Sequence, residues 1–333
     1  MAATTSPDLV PSSRLRLPFR LSQEVVLVFV IIALSLVAGA INPQFWRSNN
    51  VRDTLSNISY IAVAAVGMTM VIASGNIDIS VGALIGCLAT ISGLLAVRAP
   101  ESPLWLVLAY VAPPVLGALA GAVNGFLVAF LRIPAIVVTL GMFSIFQGAL
   151  ILTTRGNVIY DLPAGFTLAQ QRPLGIPAPI YFMVILTIIG AVWMRYSTTG
   201  RAIYAVGGNK EAARLSGISE RKIVMTAFIL NGVTAGIATL LYATQQSVIQ
   251  PTVPAGLELK IITACVVGGV SILGGTGTII GAMLGSILIN TIFSVLIFTD
   301  TSKYWIQAVQ GVLILITVLV DMVRRQRESF SGR

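Results

Sequence analysis

Long apolar runs separated by short polar stretches dominate this sequence. The runs cover about 25–41, 57–74, 80–97, 104–130, 134–153, 179–194, 223–245, 258–273, 277–298 and 304–321. A helix needs roughly 20 apolar residues to cross a bilayer, so the pattern predicts an all-α, polytopic integral membrane protein with about ten hydrophobic helices. The second and third runs are joined by a tight polar turn, as are the eighth and ninth. These four are candidates for broken or re-entrant helices.

The composition supports a membrane protein and argues against a soluble globular enzyme. Of 333 residues, 56% are hydrophobic and 10% are charged, whereas a soluble domain has about 25% charged residues. We expect a basic N-terminal tail at 1–23, a transmembrane domain at 24–322 and a C-terminal tail at 323–333. The tail and the first run resemble a signal peptide. The run is longer than the usual core of about 7–15 residues, which favours an uncleaved first helix.

The net charge of +9 is explained by the membrane topology rather than by nucleic-acid binding. The basic residues lie between apolar runs and do not alternate with aromatic residues, unlike a nucleic-acid surface. If both termini are cytoplasmic, most Lys and Arg residues fall inside, as the positive-inside rule requires. The longest basic loop, 195–222, is then cytoplasmic.

Several kinds of chemistry are missing from the sequence. It has no histidine and only two cysteines, both in apolar runs, so it offers no imidazole metal site and no disulfide framework. It lacks a phosphate-binding loop, because the glycine-rich stretch 274–277 has no lysine. It also lacks the motifs of zinc and serine hydrolases. The chain itself is therefore not an ATPase, and a membrane-embedded enzyme is disfavoured.

The loop 195–222 contains the signals of one short helix. Gly207 and the glycine after it release the chain, and Asn209 is suited to cap the helix start through its side-chain oxygen. Glu211 in the first turn and Arg214 near the end suit the helix dipole. Gly217 is placed to end the helix in the left-handed conformation. We predict a helix of about two turns, roughly 12 Å long.

This short helix needs a partner, because so short a helix is marginal in water. Ala212 and Ala213 predict a small-residue face that the backbone of another protein could approach. The alternative is an interfacial helix that lies on the headgroups of membrane lipid. Ser219 is expected to cap the next helix.

The same loop carries a family resemblance. From Gly200 to Ile218 it fits the pattern G-R-x-x-Y-A-x-G-x-N-x-x-A-A-x-x-S-G-I at each fixed position. With the blocks Gly75–Gly82, Ile133–Gly141 and Gly268–Gly277, it resembles the inner-membrane permeases of ATP-binding-cassette importers of the ribose, arabinose, galactose and xylose class. The similarity covers roughly 24–322. One departure is Lys260, where family members often have an acidic or neutral residue.

The resemblance implies a role and a set of partners. The chain would be a bacterial inner-membrane permease for a monosaccharide or sugar-like molecule that a periplasmic binding protein delivers. A second permease chain, identical or similar, would complete the pore. Separate subunits would bind ATP and Mg, so no cofactor is expected in this chain. These ATP-binding subunits would contact a coupling helix formed by Gly207, Asn209, Glu211, Ala212, Ala213, Arg214, Ser216 and Gly217.

Asp78 is the ionisable residue most clearly placed among the apolar runs. It either serves the transport pathway as a polar or proton-binding group, or caps the third run together with Ser80. Glu258 and Lys260 are expected to be solvated or to snorkel at the outer boundary, with docking to a partner as the alternative. The candidate pathway residues are Asn76, Asp78, Asn124, Thr139, Phe143, Phe146, Gln147 and Asn290. An ion-gradient-driven transporter that uses Asp78 is the alternative function.

Overall fold

The structure, a computed structural model, describes residues 22–252, 254, 256–298 and nine scattered positions between 305 and 322. The described chain is helical, and its contact between extended segments is an isolated bridge between Ile159 and Ile249. The helices are α1 (Gln23–Ile41), α2 (Ser48–Ala73), α3 (Val81–Arg98), α4 (Pro103–Ala129), α5 (Ala135–Thr154), α6 (Ala178–Tyr196), α7 (Thr198–Gly208), α8 (Lys210–Leu215), α9 (Glu220–Ala243), α10 (Leu257–Val267) and α11 (Ile279–Phe298).

Eight helices of the described chain are long and apolar enough to cross a membrane, which confirms the all-α polytopic prediction. The apolar run 258–273 forms no such helix. There α10 has 11 residues, about 16 Å, and the rest of the run belongs to a glycine-rich turn. Of the four runs that were candidates for broken helices, this run alone forms a helix too short to cross a membrane, whereas α2, α3 and α11 are long enough. The tenth run is described only at scattered positions, and residues 1–21 and 323–333 of the predicted tails lie outside the described residues.

α2 is the central helix of the bundle. From Ile58 to Ala73 most of its residues are buried, and it packs against α6, α9, α10 and α11. By contrast, α1, α4, α5 and α6 keep most of their apolar surface exposed. A water-soluble protein would bury such surface, whereas a bilayer accommodates it.

Glycines bring α4 and α9 into close backbone contact. A Cβ atom on Gly117 would overlap the carbonyl oxygen of Gly232, and one on Gly121 would overlap that of Phe228. Small residues of this kind let helices approach closely in lipid, where no hydrophobic force drives them together. The close packing holds Asn124 of α4 and Asn231 of α9 on two sides of the turn between α2 and α3.

Three connections meet at one end of the bundle: 74–80, 197–219 and 268–278. The backbone nitrogen of Gly275 donates a hydrogen bond of 2.9 Å to the carbonyl oxygen of Ala73. The hydroxyl of Tyr204 donates one of 2.8 Å to the carbonyl oxygen of Gly277. The connections 155–177 and 244–256, joined by the Ile159–Ile249 bridge, lie at the opposite end.

Candidate coupling and transport sites

The loop 195–222 holds two consecutive helices, α7 and α8. Ser197 caps α7 by accepting a hydrogen bond from Gly200 N at 2.8 Å, and Asn209 caps α8 by accepting one from Ala212 N at 3.0 Å. The predicted cap at Asn209 is confirmed. The prediction of a single helix is wrong, because Gly207 and Gly208 complete α7 instead of releasing the chain.

α8 ends as its sequence indicates. Gly217 has a φ of +78°, and backbone bonds of 3.0 Å run from Gly217 N to Arg214 O and from Ile218 N to Ala213 O. This is the closing pattern that a left-handed glycine allows. The helix has six residues, about 9 Å, and is shorter than expected. Ser219 precedes α9 but makes no capping bond with its side chain, so that prediction is wrong.

Two exposed ion pairs lie on α8. Glu211 and Arg214 pair at 2.8 Å on the helix itself, and Lys210 pairs with Glu220 of α9 at 2.9 Å. Exposed pairs contribute little to stability. Their charged groups stay in solvent, where a docking protein could reach them.

The two alanines of α8 point in different directions. Ala212 is exposed, whereas Ala213 is 5% exposed and packs with Val206 and Val224. The expected small face therefore has only Ala212 on its open side. Leu215, which lies one turn after Ala212, is 84% exposed. The sequence analysis missed it, although its spacing from Ala212 places both on one helix face.

Asp78 lies at the centre of a buried polar cluster with Ser80, Asn124 and Asn231, here called the Asp78 cluster. Its Oδ1 accepts hydrogen bonds from Ser80 N at 2.9 Å and from Ser80 Oγ at 2.5 Å. Its Oδ2 accepts one from Asn231 Nδ2 at 2.9 Å, and Asn124 Nδ2 donates to Ser80 Oγ at 3.1 Å. Asp78 thus binds the backbone of Ser80, the residue that precedes α3, whereas no side chain caps the first turn of α3 itself.

The Asp78 cluster connects helices and is closed to solvent. Asp78 is 2% exposed, and within the described residues no Lys or Arg forms an ion pair with it. Asn124 Oδ1 and Asn231 Oδ1 have no hydrogen-bond partner in this part of the chain. The carboxylate ties α9 to this turn through Asn231, and Ser80 ties α4 to it through Asn124. The cluster does not form an open path in this conformation.

The other candidate pathway residues lie in separate places. Asn76 donates to Ser74 within its own turn, and the hydroxyl of Thr139 donates to Ala135 O within α5. Phe143 and Phe146 are partly buried on α5, while Gln147 of the same helix is exposed. Asn290 lines a cavity of about 60 Å³ together with Lys260, too small for a sugar. Within the described residues, Asp78 and Asn124 meet in the Asp78 cluster, whereas Thr139, Phe143, Phe146 and Gln147 share α5 and Asn290 lies apart from both groups.

Glu258 and Lys260 differ from expectation because α10 begins inside the bundle. A Cβ on Gly82 of α3 would lie 2.8 Å from the backbone nitrogen of Glu258. The Glu258 side chain keeps a buried oxygen without a partner among the described residues. Lys260 is partly buried, with its Nζ 5.7 Å from the Phe293 ring centre. Neither side chain is fully solvated.

A second cavity was not predicted. It has a volume of about 480 Å³ and lies at the end of the bundle opposite α8, where Gln171, Arg172, Tyr181 and Phe182 contribute to its lining. Among the described residues, no three His, Cys, Asp or Glu side chains are grouped to hold a metal ion.

Comparisons with known proteins match most of the chain. The family model described as the permease component of the branched-chain amino acid transport system matches residues 50–318. The autoinducer 2 import system permease protein LsrC of Salmonella typhimurium is 37% identical over 300 residues, 90% of this chain and 85% of the relative. LsrC of Escherichia coli K12 is 35% identical over 301 residues, 90% of this chain and 87% of the relative. No solved structure matches the chain.

Proposed function

This chain belongs to the family of branched-chain amino acid transport system permease components, and from this membership we propose that α8 is its contact with the ATP-binding subunits. The chain is a multi-pass membrane permease of an ATP-binding-cassette importer of the sugar class. The alternative of an ion-gradient-driven transporter does not fit this family. In the proposed orientation, both termini and the loop 195–222 face the cytoplasm.

The observation that carries this proposal is the exposure of Leu215 on a helix that is already ordered. Caps at Asn209 and Gly217 fix the two ends of α8, and the buried Ala213 anchors it to α7 and α9. Leu215 is 84% exposed in a loop outside the membrane-spanning helices. Burying a leucine fully in a partner groove contributes about 1.5–3 kcal/mol. A headgroup layer offers no such shaped groove, so a protein partner is favoured over lipid.

Co-purification tests the contact. We would tag the chain, express it with its candidate ATP-binding subunit, and compare wild type with Leu215→Glu. The control is Leu174→Glu, because Leu174 is 94% exposed at the opposite end of the bundle. We expect Leu215→Glu to lower retention of the ATP-binding subunit by at least about tenfold and Leu174→Glu to have no effect. Equal retention by both variants and wild type would contradict the proposal.

The second permease chain is proposed to pack along α5. Added Cβ atoms on Gly141 and Gly148 would contact nothing within 4 Å, and Ser144 and Gln147 on this helix are exposed. Polar side chains inside a bilayer generally face protein or a water-filled path rather than lipid. Two α5 helices that approach each other would enclose the path for the substrate, and Phe143, Phe146 and Gln147 would lie beside it.

Autoinducer 2 is the first substrate to test, because it is named for the LsrC relatives. The Asp78 cluster is closed, and the partly buried Lys260 lines a cavity of only about 60 Å³, which is too small for a sugar-sized anion. This favours a neutral sugar-like molecule. Uptake by vesicles that contain the complete importer would be measured with autoinducer 2, ribose and arabinose in parallel. Uptake of autoinducer 2 alone would support autoinducer 2 as the substrate. Uptake of ribose or arabinose alone would contradict it and identify a pentose as the substrate.

A further inference from the structure

Four glycines form a backbone-to-backbone junction where the three connections meet. Gly75, Gly207, Gly274 and Gly275 constitute this glycine junction, and the hydrogen bond from Gly275 N to Ala73 O runs through it. A Cβ on Gly274 would lie 2.8 Å from both the nitrogen and the Cα of Gly75. Gly274 and Gly275 have φ values of +85° and +79°, which glycine adopts without strain.

The C-terminal end of α7 closes the junction. A Cβ on Gly207 would overlap the carbonyl oxygen of Ala73 and would lie 2.7 Å from Gly275 N. Tyr204, one turn earlier, bonds to the carbonyl oxygen of Gly277. α7 therefore contacts both the 74–80 turn and the 268–278 turn. Backbone atoms in contact have no flexible side chain to absorb a shift, so a displacement of α7 is passed on.

The junction leads directly to the Asp78 cluster. Gly75 and Asp78 belong to the same turn, and Asp78 holds Asn231 of α9 while Ser80 accepts from Asn124 of α4. On the other side, α7 is followed at once by α8 through Asn209. A continuous chain of contacts thus runs from the exposed Leu215 to the interior of the bundle.

We propose that Gly207 is a positioning residue for coupling, through which a movement of α8 and α7 shifts the 74–80 turn and the Asp78 cluster. This inference rests on the proposed docking of the ATP-binding subunits at α8. The junction acts with two discrete packings of α7 against the two turns, because packed backbones switch between arrangements rather than deform continuously. A methyl group on Gly207 has no room, because it would meet Ala73 O in one turn and Gly275 N in the other.

Adjacent glycines supply a matched pair of variants. Gly207→Ala places a methyl group against Ala73 O, whereas a Cβ on Gly208 would have Gly275 Cα as its nearest contact at 3.8 Å. Both residues belong to α7, so the two substitutions change helix propensity equally. If Gly207→Ala does not fold, the response of the 74–80 peptide in the wild-type complex still tests the proposal.

The experiment uses the complete complex of permease and ATP-binding subunits in lipid. Hydrogen–deuterium exchange of the peptides that cover α8 and 74–80 is measured with and without ATP and Mg. Uptake of autoinducer 2 per ATP hydrolysed is measured with the loaded binding protein. In wild type and Gly208→Ala, we expect the exchange of both peptides to change when ATP and Mg are added. In Gly207→Ala, α8 still responds, the 74–80 peptide does not, and uptake per ATP falls by about 2- to 30-fold.

The outcomes separate this inference from the proposed function. A 74–80 response in Gly207→Ala equal to that of wild type, with unchanged uptake per ATP, overturns the role of Gly207. If Gly207→Ala does not fold, a wild-type complex in which α8 responds to nucleotide and the 74–80 peptide does not overturns the role of Gly207 as well. A wild-type complex in which α8 itself does not respond to nucleotide contradicts the proposed docking function, and the coupling role is lost with it.

Discussion

Asn231 Nδ2 donates a hydrogen bond of 2.9 Å to Asp78 Oδ2 across a sequence separation of 153 residues. This bond ties the middle of α9 to the turn that joins α2 and α3. Both residues are buried, so the contact is part of the packed interior rather than of an open channel. The carboxylate acts here as an acceptor that holds helices together. This role requires hydrogen-bonding shape and does not require a negative charge.

Replacing Asp78 by asparagine is therefore expected to preserve transport. The new side-chain oxygen can still accept from Ser80, and the new amide can donate to Asn231 Oδ1, which is unpaired within the described chain, once the Asn231 amide flips. Asp78→Leu removes the acceptors and leaves buried donors unsatisfied, at a cost of about 1–3 kcal/mol each. Thermal unfolding of the purified protein and uptake in vesicles would both show the difference.

The two Asp78 variants also bear on the rejected mechanism. An ion-coupled transporter needs the charge, and Asp78→Asn would abolish its uptake while it stayed folded. A folded but inactive Asp78→Asn would therefore contradict a purely structural role of the carboxylate.

The cap of α8 offers a second prediction. Asn209→Ala removes the acceptor for Ala212 N, which costs about 1 kcal/mol. A helix of six residues is only marginally stable. Loss of the cap should therefore weaken binding of the ATP-binding subunit by about fivefold. Asn209→Asp retains a capping oxygen and should bind as wild type does. Titration of the ATP-binding subunit onto immobilised permease measures both, and equal affinity for Ala and Asp variants would show that the cap is unimportant for docking.

Local signals predicted the two ends of α8, whereas the long-range packing around this helix could not be predicted from the sequence. Asn209 and Gly217 act on neighbouring backbone groups, so their roles followed from residue type and position. Ala213 is buried in a cluster that includes Val206 of α7 and Val224 of α9, which lie outside its own helix. The glycine junction joins residues about 70 to 200 positions apart, and apolar periodicity carries no information about such contacts.

The length of α10 shows a limit of hydropathy. Hydropathy marks 258–273 as one apolar run, but the helix ends at Gly268. Gly269 has a φ of +94°, and Val270 N donates a hydrogen bond of 2.9 Å to Cys265 O, which is the closing pattern of a left-handed glycine. An apolar run in a membrane protein therefore predicts burial or lipid contact more securely than it predicts helix length.

Close packing of α4 on α9 leads to a third prediction. Gly232→Ala would force a methyl group into the carbonyl oxygen of Gly117, and overpacking of this kind typically costs about 1–3 kcal/mol. Gly208→Ala at the end of α7 serves as the control, since a Cβ there would have its nearest contact at 3.8 Å. We expect a lower unfolding temperature in detergent for Gly232→Ala alone. Equal unfolding temperatures would mean that α4 and α9 are packed less tightly than described.

The open face of α5 gives the final prediction. Ser144→Cys, in a background of Cys87→Ala and Cys265→Ala, should form a disulfide-linked dimer of the chain in membranes, because two copies are proposed to meet along this helix. The natural cysteines are buried, but their removal leaves a single reactive thiol. Ile188→Cys is the matched control, since Ile188 is 56% exposed on α6 and should face lipid. Dimers from Ile188→Cys alone would place the contact on α6. The proposed path between two α5 helices, beside Phe143 and Gln147, would then be wrong.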